Sequence, residues 1–356
     1  MTERLKQKPG LAINMAAGRP FAKFKTSRSQ NMKMHRRAVV AGLLTSLALA
    51  GPVLAQPYPN KPVRIVLPYG AGGPADVMVR ALAQSLGDSW GQPFIVDNKP
   101  GANEIIAAEI VAKSPGDGYT FLVASDGAYS LNQNLYSKIP YDPANDFVPV
   151  AKLATANLML VARADLPAAN VKELIEQTQK SPGKLNYGSL GAGGVNHLAS
   201  AWFNNINKLQ VEHVAFKTLP AAITELLAGR IDMMFAVTGG VAQHIASGKI
   251  KGIAVSGKNR QPVANTVPTF AEVGFPAFDA SFYFGVVAPK GTPAEITSRF
   301  ARDMSRIINA PEFKAKYFQP LGFEAVGDTP EQFAAFMKAD RELGAQKVKI
   351  SGAKLD

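Results

Sequence analysis

The chain alternates short β-branched, apolar runs with longer segments whose apolar positions recur at helical spacing. Val63–Leu67 is typical of a buried strand, and a helix is predicted from Pro74, where the missing N–H of proline costs nothing. Its apolar face runs from Met78 to Leu86. Further strands are predicted at 94–96, 120–124, 158–162, 184–187, 211–216, 231–236, 250–255 and 285–288. Further helices are predicted near 103–113, 170–180, 195–206, 219–228, 239–247, 293–308 and 330–346. This alternation predicts an α/β fold of mainly parallel sheets covered by helices.

Three of the predicted helix starts carry a side chain suited to capping. Asn170, Thr292 and Thr329 each stand three residues before a Glu or Gln. In this arrangement the first side chain accepts a hydrogen bond from the amide three residues further on. We therefore expect a helix to begin beside each of them.

The segment 34–55 has the pattern of a secretory signal peptide. Arg36 and Arg37 precede an uncharged run from 38 to 50, and the small residues Val53 and Ala55 stand at the −3 and −1 positions of a cleavage before Gln56. A retained membrane anchor is the alternative, but Ala, Gly, Ser and Thr dilute the run. Residues 1–33 show no apolar periodicity and are interpreted as an over-extended start or a disordered tail. The protein is therefore expected in the periplasm.

Composition and charge exclude several classes of function. The chain has 356 residues, no Cys, 39 basic and 27 acidic residues, and a net charge of +12. Residues 1–55 hold ten of the basic and one of the acidic residues, which leaves 29 against 26, or +3, for the rest. A body this close to neutrality is not expected to bind nucleic acid. Disulfides and thiolate metal sites are excluded, and the histidines lack metal-ligand spacing, so neither a metal nor a cofactor is expected.

Two glycine-rich loops share one design. Gly70–Gly73 follows the first strand, and 188–194 follows the strand predicted at 184–187; each leads into a predicted helix. Glycine allows close backbone approach, and the free amides of a helix start attract anions. In open α/β sheets, ligands bind beyond the carboxyl ends of the strands. Two such helix starts facing each other would form a carboxylate site without an arginine.

Known catalytic motifs are incomplete. Asn196 stands where a dinucleotide-binding loop needs its third glycine. Tyr187 stands where the Gly-x-Ser-x-Gly motif of a nucleophile elbow needs its first glycine. A hydrolase that uses Ser189 with His197 remains the alternative from another class. Three further residues have two interpretations each. Asp76 either contacts a ligand or complements its helix start, His197 either faces the cleft or braces its loop, and Glu104 is either a solvated acid at a helix start or a group that reaches the pocket.

The chain resembles the periplasmic substrate-binding component of tripartite tricarboxylate transporters, the Bug-type receptors, over essentially all of residues 56–356. The motifs that carry the resemblance include Tyr58-Pro59-Asn60-Lys61-Pro62, Pro68-Tyr69-Gly70-Ala71-Gly72-Gly73, Asn98-Lys99-Pro100-Gly101-Ala102, Pro115-Gly116-Asp117-Gly118-Tyr119, Asp146-Phe147-Val148-Pro149, Asn186-Tyr187-Gly188-Ser189, Leu227-Ala228-Gly229-Arg230-Ile231-Asp232 and Ala288-Pro289-Lys290-Gly291-Thr292-Pro293.

The resemblance implies a two-lobe flytrap of the type II periplasmic-binding-protein class, in which each lobe is a mainly parallel sheet flanked by helices. We expect lobe 1 to comprise 56–160 plus 286–356 and lobe 2 to comprise 161–285, with crossings near 158–162 and 284–288. It further implies a monomeric receptor without enzymatic activity that captures a small organic acid and passes it to membrane permease subunits. A sensory receptor that feeds a signalling partner would use the same cleft.

The resemblance also assigns ligand-binding residues. Those of the two glycine loops and their helix starts are Tyr69, Gly70, Ala71, Gly72, Gly73, Asp76, Ser189, Gly191, Ala192 and His197. Those expected to shape the far end of the cleft are Ser125, Asp126, Lys217, Thr218 and Thr238.

The chain departs from the family pattern near the expected cleft. Asn103 and Glu104 stand where glycines usually follow Pro100-Gly101-Ala102, and Asp126 occupies a position that is often Thr or Ser. Lys217-Thr218-Leu219 replaces the common Lys-Gly-Ser. Acidic side chains inside the cleft would disfavour a dicarboxylate and favour an amino acid or another acid that bears a cation. An uncharged aromatic acid stays open.

Overall fold

A computed structural model describes residues 58–353 and Leu355, so the predictions for residues 1–33 and for the signal peptide at 34–55 lie outside the described residues. The strands are β1 Val63–Leu67, β2 Phe94–Asn98, β3 Thr120–Ser125, β4 Phe147–Ala156, β5 Leu158–Arg163, β6 Asn186–Ser189, β7 Glu212–Ala215, β8 Met233–Val237, β9 Ile250–Val255, β10 Phe282–Pro289 and β11 Phe323–Ala325. The helices are α1 Pro74–Trp90, α2 Ile105–Ala112, α3 Asn132–Leu135, α4 Val171–Lys180, α5 Val195–Ile206, α6 Leu219–Leu227, α7 Thr238–Ala246, α8 Ala294–Asn309, α9 Pro311–Phe313 and α10 Pro330–Ser351.

The strands form two sheets, which confirms the two-lobe α/β class. The first sheet has the order β11-β4-β10-β3-β1-β2, and the second has the order β7-β6-β8-β5-β9. Helices flank both sheets, and buried side chains from both belong to one continuous apolar cluster.

Each sheet is mixed, whereas mainly parallel sheets were expected. β1 pairs in parallel with β2 and β3, and β6 pairs in parallel with β7 and β8. β10 is antiparallel to β3 and β4, β11 is antiparallel to β4, and β5 is antiparallel to β8 and β9. The parallel strands are joined by helical crossovers, which fix their direction. The antiparallel set contains the strands by which the chain enters or leaves a sheet, and these need no such crossover.

The chain changes sheets at two places. β4 ends at Ala156 in the first sheet and β5 begins at Leu158 in the second, so Asn157 alone joins them. The return lies between Val255 and Phe282. The run 158–162, expected to cross, therefore lies in the second sheet, and the run 284–288 lies in the first. The lobe boundaries at 160 and 285 stay predictions.

Helix α10 contacts elements on both sides. Thr329 caps it in a full capping box with Gln332. Asp340 accepts a hydrogen bond from Ser130 Oγ at 2.6 Å, beside the first sheet. Near the other end, Asn205 Nδ2 of α5 donates to the carbonyl of Ile350 at 3.1 Å. Within the described residues, no helix has both the length and the apolar composition needed to cross a bilayer.

A substitution at the contact between α10 and the first sheet tests this packing. All of β10 is buried, and a Cβ on Gly285 would lie 2.3 Å from the Phe333 ring of α10. We expect Gly285→Ala to lower the free energy of unfolding by about 1–3 kcal/mol through overpacking. In a Phe333→Leu background the same change should cost much less. Urea denaturation of the four variants of this double-mutant cycle measures the coupling, and equal costs in both backgrounds would contradict this packing.

Candidate functional site

The first glycine loop, Gly70–Gly73, follows the carboxyl end of β1 and leads into α1. The buried Asp76 carboxylate accepts hydrogen bonds from Gly72 N (3.0 Å) and Arg80 Nε (2.9 Å). Asn98 Nδ2 donates to its other oxygen at 2.9 Å. Burial raises the pKa of Asp76, but these donors outweigh that effect and hold the pKa below its usual range. Asp76 thus braces the loop and the helix start.

The second glycine loop, residues 190–194, follows β6 and leads into α5. Neither α1 nor α5 has a side-chain cap at its first turn. The side chains of Asn170, Thr218 and Thr329 cap α4, α6 and α10, whereas α2, α3, α7, α8 and α9 have no side-chain cap either. The two helices that follow glycine loops therefore present uncapped amides, the arrangement that attracts an anion.

Both glycine loops lie where elements of the two sheets meet. A Cβ on Gly70 would stand 2.5 Å from Cγ2 of Thr218, and one on Gly193 would stand 3.0 Å from Nδ2 of Asn103. Tyr136 donates from its hydroxyl to the Ala192 carbonyl at 3.4 Å. These cross-contacts join each loop to another element opposite it. The expectation that the two helix starts face each other directly stays a prediction.

Ser189 pairs with a different histidine from the one expected. Its buried hydroxyl lies 2.6 Å from Nε2 of His213 and also accepts from Gly191 N at 3.1 Å. His197 instead accepts from Gly193 N through Nδ1, at 3.1 Å. The predicted alternative, in which Ser189 forms a catalytic pair with His197, is therefore wrong in its choice of histidine. His197 braces the second glycine loop, which is one of its two predicted roles.

His197 and His213 form a ring pair with centroids 4.3 Å apart and ring planes tilted by 39°. Burial, and to a smaller extent the charge of His213, lowers the pKa of His197 to about 4. Burial also lowers the pKa of His213. Both rings are therefore neutral at pH 7. In the described part of the chain, no group of three or more His, Asp and Glu side chains is arranged to hold a metal ion.

The Glu104 carboxylate is buried against the first sheet, so the interpretation as a solvated acid is wrong. Ser125 donates to it from Oγ (2.6 Å) and from its amide (3.1 Å). Ala128 N donates at 3.1 Å, and the hydroxyl of Tyr69 also donates. Burial raises the pKa of Glu104, and these donors counteract the effect in part. Two of the predicted site residues, Tyr69 and Ser125, thus hold a carboxylate of the chain itself.

Asp126 faces a crevice between α5 and α10. Its Oδ2 lies 3.4 Å from Nζ of Lys347, and its Oδ1 has no hydrogen-bond partner within the described residues. Burial raises the pKa of Asp126 to about 7, against the attraction of Lys347. The other residues that line the crevice are Leu131, Val195, Leu198, Ala199, Trp202, Asp279, Ala280, Ser281 and Phe282.

The remaining predicted residues lie at the ends of β7 and β8. Lys217 is exposed, whereas Thr218 caps α6 through its contact with Ala221 N at 3.4 Å. Thr238 is buried at the start of α7, and its hydroxyl has no hydrogen-bond partner in the described part of the chain. No sequence signal pointed to His213 as the partner of Ser189.

Solved structures similar to this chain include periplasmic solute-binding proteins. BugD is 31% identical with a TM-score of 0.78, over 83% of this chain and 99% of that one. Rpa4515 of R. palustris, solved with adipate, is 30% identical with a TM-score of 0.80, over 84% of this chain and all of that one. MatC of Rhodopseudomonas palustris, solved with malate, is 27% identical with a TM-score of 0.77, over 82% of this chain and all of that one. Fold and neighbours therefore define a periplasmic solute-binding receptor.

Sequence comparison places the chain within this class. The tripartite tricarboxylate transporter family receptor model matches residues 78–349. Protein BugT of Bordetella pertussis is 33% identical over 326 residues, which cover 91% of this chain and all of that protein. The chain belongs to the tripartite tricarboxylate transporter receptor family.

The histidine pair predicts an acid sensitivity of the fold. Because the pKa of His197 is below its unfolded value of about 6.5, the unfolded chain binds the proton first as the pH falls. The free energy of unfolding should therefore decrease between pH 6.5 and 4, by about 2 kcal/mol from this group at pH 5. Denaturant titrations at pH 7.5 and 5 should show a smaller decrease for His197→Gln. The matched control is His244→Gln, outside the pair. A His197→Gln variant with the same pH dependence as the unaltered protein would refute this account.

Proposed function

We propose that this protein captures a small organic carboxylate between its lobes and delivers it to the membrane subunits of a tripartite tricarboxylate-type transporter. The bound adipate and malate of two similar structures, both carboxylates, support the ligand class. The family supports the transporter. The proposal keeps lobe 1 as 56–160 plus 286–356, lobe 2 as 161–285, and a monomeric receptor.

The observation that carries the proposal is the pair of uncapped helix starts behind glycine loops, with Gly70 close to Thr218 and Gly193 close to Asn103. A helix start stabilises an anion by about 0.3–2 kcal/mol, and each hydrogen bond to a charged group adds about 1.5–3 kcal/mol. A micromolar ligand needs about 8 kcal/mol. A few amide contacts from each loop reach that sum. The ligand favours the closed arrangement by its extra affinity for it.

Export gives the first test. With a signal peptide at 34–55, the full precursor expressed in a Gram-negative host should yield periplasmic protein that begins at Gln56. N-terminal sequencing of protein released by osmotic shock measures this. A membrane-bound product that retains residues 34–55 would support the anchor instead.

Ligand screening tests the receptor itself. Protein purified from the periplasm should show a higher melting temperature with one or more organic acids from a panel of mono-, di- and tricarboxylates, amino acids and aromatic acids. Neutral sugars of similar size serve as the control. A response to sugars and to none of the acids would refute the carboxylate assignment.

Closure of the two lobes requires a residue without a Cβ at position 70. A Cβ there would meet Cγ2 of Thr218, whose rotation would cost the cap of α6. We expect Gly70→Ala to weaken binding of the best acid from the screen at least tenfold, measured by calorimetry. Gly87→Ala, within α1 and outside the glycine loop, is the matched control, because its Cβ would approach no atom closer than 3.4 Å. Equal affinities of the two variants would argue against closure at this contact.

A further inference from the structure

The segment that carries Glu104 has a strained backbone. Ala102, Asn103 and Glu104 have φ values of +44°, +47° and +71°, a region that residues other than glycine adopt only at an energetic cost. Three such residues in succession persist only where their surroundings over-determine them. Here the conformation turns the Glu104 side chain inward, where it is 7% exposed.

The Glu104 carboxylate has no acceptor position left. Oε1 accepts from the hydroxyls of Tyr69 and Ser125, and Oε2 accepts from the amides of Ser125 and Ala128. A carboxylate has about four lone-pair positions, so the four donors saturate it. Gly127 completes the fit, because a Cβ there would lie 3.3 Å from Oε2. We call these four donors the cradle.

The cradle lies at the edge of the first sheet where the proposed ligand site lies. Tyr69 stands next to Gly70, and Ser125 ends β3, which pairs in parallel with β1. Asn103 extends from the same segment to the second glycine loop, where its Oδ1 would be 3.3 Å from a Cβ on Gly194. Its Nδ2 donates to Oδ1 of Asn132 at 2.5 Å, which holds it in place. The strained segment thus stands between the cradle and the second loop.

We propose that Glu104 permanently occupies an anion site on the first lobe, so that the ligand brings a single carboxylate. This rests on the proposed function and specifies its ligand class as acids that carry a single carboxylate. A dicarboxylate would set its second charge against a carboxylate whose donors are already used. A ligand ammonium group could not hydrogen-bond to Glu104, because the lone pairs of its carboxylate are filled.

The test compares acids of equal length and opens the cradle by substitution. The unaltered protein should bind hexanoate or butyrate at least tenfold more tightly than adipate or succinate, by calorimetry. Glu104→Gly frees the four donors and suits the positive φ, so its preference should shift at least tenfold towards the dicarboxylates. Glu104→Gln removes the charge but still fills the cradle with a side chain of the same size, so its gain in dicarboxylate binding should be much smaller than that of Glu104→Gly.

Binding of acetate tests the cradle independently of the receptor function. It should raise the melting temperature of Glu104→Gly, by filling the empty cradle, and leave Glu104→Gln and the unaltered protein unchanged. If no acid longer than acetate binds to any of the three proteins but acetate still has this effect, the receptor proposal fails and the occupied cradle stands. Equal or tighter binding of adipate by the unaltered protein overturns the inference without any variant. A folded Glu104→Gly protein that responds to neither acetate nor the dicarboxylates overturns it as well.

Discussion

Backbone amides at the ends of strands and the starts of helices need partners, and this constraint organises the structure. At α4, α6 and α10 a side chain of the helix start provides the acceptor. At α1 and α5 the loops are glycine-rich and no side-chain cap is present. At the end of β3 the acceptor comes from a distant residue, Glu104. The same need for an acceptor is met locally at α4, α6 and α10, and from elsewhere in the chain at β3; at α1 and α5 we propose that a ligand meets it.

The parallel and the antiparallel strands lie in different parts of the fold. The parallel strands carry the glycine loops at their carboxyl ends, as open α/β sheets do. The antiparallel strands β4, β5 and β10 carry the chain between the sheets and lie in the apolar interior.

Local patterns predicted the elements well, and contacts distant in sequence were not predicted. β1, β9 and α5 have the bounds that periodicity indicated. Asn170 and Thr329 cap their helices as expected, but Thr292 donates to the Pro289 carbonyl instead and α8 begins after Pro293. β4 was missed because Pro149 and Lys152 interrupt its apolar run. The antiparallel pairings were missed because nothing local specifies a partner strand.

The same limit applies to the site. The glycine loops are visible in sequence because glycine and helix-start chemistry are local. Ser189 and His213 meet because β6 and β7 pair in register, with Tyr187 opposite His213, and that register is not written in either segment. Glu104 looked like an exposed acid because a sequence does not reveal a positive φ at a residue other than glycine.

Helix α10 adds a mechanical consequence. Its middle is fastened to Ser130, and its last turn is bonded to Asn205. Gly344 sits so close that a Cβ would be 2.7 Å from the Ser130 carbonyl. Any motion that separates the two sheets would have to break the hydrogen bond from Asn205 to the Ile350 carbonyl or bend α10. The carboxyl-terminal helix thus links residues beside the first sheet with α5.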